Sequence, residues 1–142
     1  MGFLFYIGGY DLKHTLEGLR YTDRAIASYE GMNDGIRELI KRTDYTGNAQ
    51  ARMEAYTSRR IEEVQAHHNY WLKLIHELDD DRYRNVLKLR YIEGLTVEET
   101  AEDLFYSVRH INKLTNDAVE ELAKLHEKQA HSKGYKGQFI QR

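Results

Sequence analysis

LDDDRYRNVLKLRYIEGLTVEETAEDLFYSVRHINKLTNDAVEEL, residues 78 to 122, carries three helices with a physical start or stop at every boundary. Asp79 or Asp80 is placed to cap a first helix, which turns Val86, Leu89 and Ile92 inward and stops at Gly94, a residue suited to the left-handed position after a helix. Thr96 caps the second, and Glu99 stands three residues on, so that each side chain can meet the other's backbone amide in a capping box. This short helix buries Thr100, Ala101 and Leu104, the small Ala101 allowing close helix approach. A tight turn follows, and Ser107 caps a third helix over 107–122 that faces inward through Val108, Ile111, Leu114, Ala118 and Leu122.

The outward face of the third helix then holds Arg109, His110, Asn112, Lys113 and Asn116, with no acid before Asp117. These residue types suit a nucleic-acid groove. Arginine and lysine donate to guanine O6 and N7, and asparagine can pair with adenine through two hydrogen bonds. Arg109, Asn112, Lys113 and Asn116 are therefore candidate base readers, with His110 turned toward phosphates.

Upstream, Leu12, Leu16, Leu19, Ile26, Tyr29, Ile36, Leu39 and Ile40 recur at roughly helical spacing, weakened locally by Gly18, Gly31 and Gly35. The polar stretch 43–50 reads as the loop of a helical hairpin, and 51–78 as its second helix, ~40 Å long at 1.5 Å per residue. Along that helix Ile61, Val64, His68, Trp71, Ile75 and Leu78 fall on a heptad seam. Such a stripe needs a partner, either the first helix or a second copy of the chain, and the expectation is intramolecular packing plus a homodimer. His68 is read as a histidine bonded inside the interface rather than as a metal ligand. His67 and His68 are adjacent, so they point about 100° apart and cannot share an ion on one face.

Residues 1–10 are apolar, but they lack a basic leader and a cleavage site. Asp11 and Lys13 interrupt them far short of the ~20 apolar residues that span a bilayer, so they read as a short segment packing on the body. Cysteine is absent, which rules out disulfides and thiolate metal sites and makes a cytoplasmic location the default. The chain is 41% hydrophobic and 31% charged, as suits a soluble protein of amphipathic helices, and proline is absent, which permits long ones. A formal net charge of −2 excludes indiscriminate coating of nucleic acid, so any binding must be local. The C-terminal stretch supplies a local basic bias, with Lys133 and Lys136 as phosphate partners on a flexible tail.

The run from Leu87 to Thr96, followed by Glu98, Glu99, Thr100 and Ala101 and then by Leu104, Ser107 and Ile111, resembles sigma-70 region 4 in spacing and residue type. Leu78, Asp79, Asp80, Arg82, Tyr83 and Arg84 before it, with Tyr106, Ser107 and Arg109 after it, make the chain similar to phage late-gene transcription regulators of the ArpU and RinA type. The resemblance implies a third helix in the major groove, with Arg109, Asn112 and Lys113 at base-reading positions and Thr96 and Ser107 near phosphates. Phe105 departs from it, standing at the turn where sigma factors have glycine, and a left-handed Phe would be strained by ~1 to 2 kcal/mol. The acids Glu98, Glu99, Glu102 and Asp103 also lie where phosphates would repel them.

The expected protein is all-α. It has an N-terminal helical arm over 1–78, a sigma-70 region 4-like helix-turn-helix over 79–126 and a basic tail over 127–142. Its expected partners are double-stranded DNA, RNA polymerase and a second copy of the chain. No membrane, small-molecule substrate, cofactor or metal is expected, and no phosphate loop, nucleophile elbow or metal-ligand spacing suggests an enzyme. The expected function is that of a sequence-specific DNA-binding transcription regulator, of the phage or prophage late-gene activator kind, which reads the major groove with the helix over 107–122. The alternative is a sigma-like protein-interaction module that binds RNA polymerase or another regulator and scarcely touches DNA.

Overall fold

A computed structural model describes residues 6–7, 10–43 and 47–133, with side chains described for 11–42 and 48–130. The fold is all-α, apart from a two-residue antiparallel pairing of β1 (Tyr6–Ile7) with β2 (Tyr10–Asp11). The expected packing of the first ten side chains lies outside the described residues. Two compact units are present, one comprising 1–20 and 70–142 and the other 21–69. The division falls at 20/21 and 69/70.

In the first unit, α1 (Leu12–Leu19) starts where the Asp11 carboxylate accepts a hydrogen bond from the Lys13 amide at 3.0 Å. Leu12, Leu16 and Leu19 recur at helical spacing and are buried. They pack with Trp71, Leu74 and Ile75, from the last turns of α3 (Gly47–His76), and with Ala118, Val119 and Leu122. Each fully buried leucine contributes about 1.5–3 kcal/mol. The first helical stretch is thus two helices, broken at Arg20 and Tyr21 rather than at Gly31 or Gly35. The single seam expected through Ile61, Val64, His68, Trp71 and Ile75 also divides. Trp71 and Ile75 are sealed in this core, while the other three belong to the second unit.

Asp80 caps α4 (Asp81–Leu87), accepting from the Arg82 amide at 2.8 Å and from the Arg82 guanidinium at 2.8 and 3.2 Å. These bonds hold its carboxyl down at about 2. The helix continues as a π-helical stretch, Lys88–Ile92, whose register carries Tyr91 into the core together with Val86 and Leu87 from α4. Leu89 and Ile92, expected inward, are only half-buried. Gly94 takes the left-handed conformation with φ 78°, as its position requires.

The third helix, α6 (Val108–Lys133), runs well past residue 122 and through 127–133, where a tail was expected. Inside it His126 is buried, stacked on the Trp71 ring at 5.0 Å and hydrogen-bonded to the Tyr70 hydroxyl at 2.7 Å. Burial pushes the His126 imidazole below its ordinary value of 6.5.

The second unit comprises α2 (Thr22–Thr43) and the first part of α3, paired antiparallel. Helix α3 begins at Gly47, inside the stretch expected to be loop. Its rungs are polar. Thr22 bonds His68 at 3.1 Å, Thr57 donates to Asn33 at 2.8 Å, and Arg37 donates to Glu54 at 3.0 Å. Thr57 is the one described residue of this unit that is fully buried. Ile26, Ile36, Ile61 and Val64 are half-buried, and Met32, Leu39 and Tyr56 are exposed.

Candidate nucleic-acid interface

Helix α5 (Val97–Leu104) begins with the full capping box. Thr96 Oγ1 accepts from the Glu99 amide at 3.0 Å, and Glu99 Oε1 accepts from the Thr96 amide at 2.9 Å. Thr100 and Ala101 are buried, and Ala101 packs with Val86, Ile111 and Leu114 in a small core beneath the helix-turn-helix. The helix closes on Phe105, whose φ of 60° and ψ of 41° lie in the left-handed region. Its N–H reaches the carbonyls of Ala101 and Glu102, and the Tyr106 N–H bonds the Ala101 carbonyl at 3.0 Å. The turn therefore keeps the geometry a glycine would give, with a phenylalanine carrying the ~1 to 2 kcal/mol of left-handed strain.

Ser107 Oγ then accepts from the His110 amide at 3.0 Å and starts α6. Ile111, Leu114, Thr115 and Ala118 are buried on one side of the helix. Arg109, Asn112, Lys113 and Asn116 are all exposed on the other, so the structure brings the four predicted base readers onto one surface. Val108, expected inward, is 40% exposed, because it occupies the first position of the helix, before the buried stripe begins.

Two of these side chains already have protein partners. Lys113 pairs with Asp117 at 3.1 Å, an exposed (i, i+4) pair that is readily exchanged, worth about 0.3–0.5 kcal/mol. Asn116 Oδ1 accepts a hydrogen bond from Lys13 Nζ of α1. The His110 ring, half-buried, packs edge-on against Tyr106 at 4.6 Å. Thr96 and Ser107 remain exposed. Lys136 and the Lys133 side chain lie outside the described residues.

Lys13 and Arg20 have no counterpart among the sequence expectations. Arg20 Nε donates to the Arg90 carbonyl at 2.7 Å and Nη2 to the Leu95 carbonyl at 3.0 Å, while Nη1 meets Glu17 at 3.1 Å. It satisfies carbonyls on both sides of the Gly94 stop and so ties α1 to the start of the helix-turn-helix. No local pattern announces it, since its partners lie seventy or more residues away.

The exposed acids Glu99, Glu102 and Asp103 of α5 line an open groove together with Leu95, which precedes the helix. Among the described residues no group of three or more His, Cys, Asp or Glu is placed to hold a metal ion. No described helix is long and apolar enough to cross a membrane.

No curated protein matches the chain, and no solved structure does. Residues 74–124, about a third of the chain, match the family model for Sigma-70, region 4, a DNA-binding helix-turn-helix of transcription factors. The match spans the part of the chain where the capping box, the left-handed turn and the exposed polar face occur, and these residues form a sigma-70 region 4-like helix-turn-helix module.

Proposed function

We propose that this chain is a sequence-specific, DNA-binding transcription regulator that reads the major groove with the N-terminal half of α6. The observation that carries the reading is the shared exposed surface of Arg109, Asn112, Lys113 and Asn116, backed by a fully buried opposite face. On this reading those four meet base edges, and Thr96, Ser107, His110, Lys133 and Lys136 meet phosphates. The hydroxyls of Thr96 and Ser107 already serve as caps through their lone pairs, which leaves their protons free to donate to a phosphate oxygen.

The half-buried and exposed apolar residues of the 21–69 hairpin support a homodimer formed through it, in which Ile61, Val64 and His68 would be covered. A dimer would read two half-sites about one helical turn, ~34–36 Å, apart. The ArpU- and RinA-like features give the more specific form of the proposal, a phage or prophage late-gene activator working in the cytoplasm. A second reading has its own observation: the acidic, exposed face of α5 suits contact with RNA polymerase or another regulator better than contact with phosphates.

Selection of bound sequences from random duplex DNA separates the two. One enriched motif is expected, lost when Arg109, Asn112 and Lys113 are all changed to Ala. Arg109→Ala alone should cost ~1–3 kcal/mol and relax one base pair. A folded protein that enriches nothing would sink the DNA reading and favour the protein-contact one.

A further inference from the structure

At the junction of α5 and α6 every residue from Phe105 to Arg109 is exposed, and two of them are plainly apolar. Phe105 is 92% exposed and Val108 40%. A lone exposed aromatic is ordinary, but Phe105 also occupies the left-handed backbone that glycine or asparagine would hold with less strain. Its ring adds almost nothing to the core, so the strain has no return in packing. Strained residues concentrate where a side chain is used, and this one lies four residues before Arg109, in the turn that leads into the end of α6 that a groove-inserted helix presents first.

The surroundings point to the occupant. From Phe105 to Asn116 the chain contains Arg109 and Lys113 and no acid, a stretch complementary to a polyanion. The groove formed by Glu99, Glu102, Asp103 and Leu95 does not include Phe105. Within a major groove, the apolar group that base edges offer is the 5-methyl of thymine.

We propose that Phe105 and Val108 form an apolar edge that packs on thymine 5-methyl groups beside the bases met by Arg109, making thymine a specified base at the rim of the site. The inference rests on α6 being the helix that enters the groove.

The test is titration of the full chain with duplexes carrying the selected motif, each thymine replaced in turn by deoxyuridine. Removing a covered methyl should weaken binding about fourfold, the worth of one buried methyl group. Phe105→Gly should bind the thymine duplex correspondingly less well and should ignore uracil at the position the ring covers, and Phe105→Asn should do the same. Both replacements suit the left-handed backbone, so the unfolding midpoint should hold or rise, which separates a lost contact from a lost fold.

If wild type binds uracil and thymine duplexes equally, or Phe105→Gly binds like wild type, the inference falls while base reading by α6 stands. If no motif can be selected, the underlying reading falls and takes the inference with it. If Phe105→Gly loses RNA polymerase binding and no methyl response exists, the ring belongs to a protein contact and the inference is overturned.

Discussion

The two units of this chain are held together by different chemistry. Among the described residues, every fully buried hydrophobic side chain belongs to the unit of 1–20 and 70–142, whereas the hairpin of 21–69 joins its helices through hydroxyl, imidazole, guanidinium and carboxylate rungs. Rungs of this kind fix the register of two helices but add little stability, since exposed ion pairs and neutral hydrogen bonds are worth about 1 kcal/mol or less each. The contrast implies a rigid module whose stability is its own and a hairpin whose half-covered apolar residues can gain from a partner.

The largest expected effect comes from the core. Trp71→Ala should destabilise the first unit by ~3–5 kcal/mol, because Trp71 is 1% exposed and stacked on His126. In the hairpin, Ile61→Ala should cost only ~1 kcal/mol, about half the value of a fully buried isoleucine. Denaturant melts of both variants at several protein concentrations check this. Equal losses would break the contrast, and an Ile61 effect that grows with concentration would sharpen it by showing the hairpin covered in an oligomer.

Next in size is Arg20→Ala. Two hydrogen bonds from a guanidinium to backbone carbonyls are lost, at about 1.5–3 kcal/mol for a charged hydrogen bond. Amide exchange near Arg90 and Leu95 should speed up with the drop in stability. Unchanged exchange at those sites would show that α1 is not fastened there.

The smallest effect is one of pH. The folded state depresses the His126 pKa below 6.5, so the unfolded chain binds more protons in the window just below that value. Stability should therefore be full above about pH 6.5 and decline as the pH falls through the folded value. His67, in the hairpin, is lowered by burial and by neighbouring His68, with the same sign. Thermal melts between pH 7.5 and 5 should show the decline, and it should be shallower in His126→Gln. An identical slope in that variant would place the proton uptake elsewhere.

The helix boundaries of the module were legible because capping is local chemistry. Asp80, Thr96 with Glu99, Gly94 and Ser107 each act within six residues of their partners. The exposed quartet of α6 followed from the 3.6-residue period, and Val108 was misplaced because that period was carried one position beyond the stripe it describes. Whether Phe105 keeps the left-handed turn that sigma factors make with glycine was open from the sequence, and neither that backbone nor the exposure of the ring was legible. Tyr91 was missed because a π-helical stretch shifts the register that a regular helix would impose. Trp71 and Ile75 were legible as buried, and their packing on Leu12, Leu16 and Leu19 is with residues of the expected first helical stretch. The share that Ala118, Val119 and Leu122 of α6 take in that core was not, because they lie more than forty residues downstream of Trp71 and Ile75, beyond the reach of any local pattern.

The Arg20 fastening also has a consequence for synthesis. Helix α1 leaves the ribosome early, while the carbonyls that Arg20 grips follow seventy residues later and α6, which helps to bury its leucines, follows later still. At ~5–20 residues per second, that apolar face waits several seconds for its cover. A fragment cut to residues 74–124 would lack the face altogether, leaving Val119 and Leu122 without the leucines they pack against. Such a fragment is expected to be sticky in solution even though it contains the whole of the matched module.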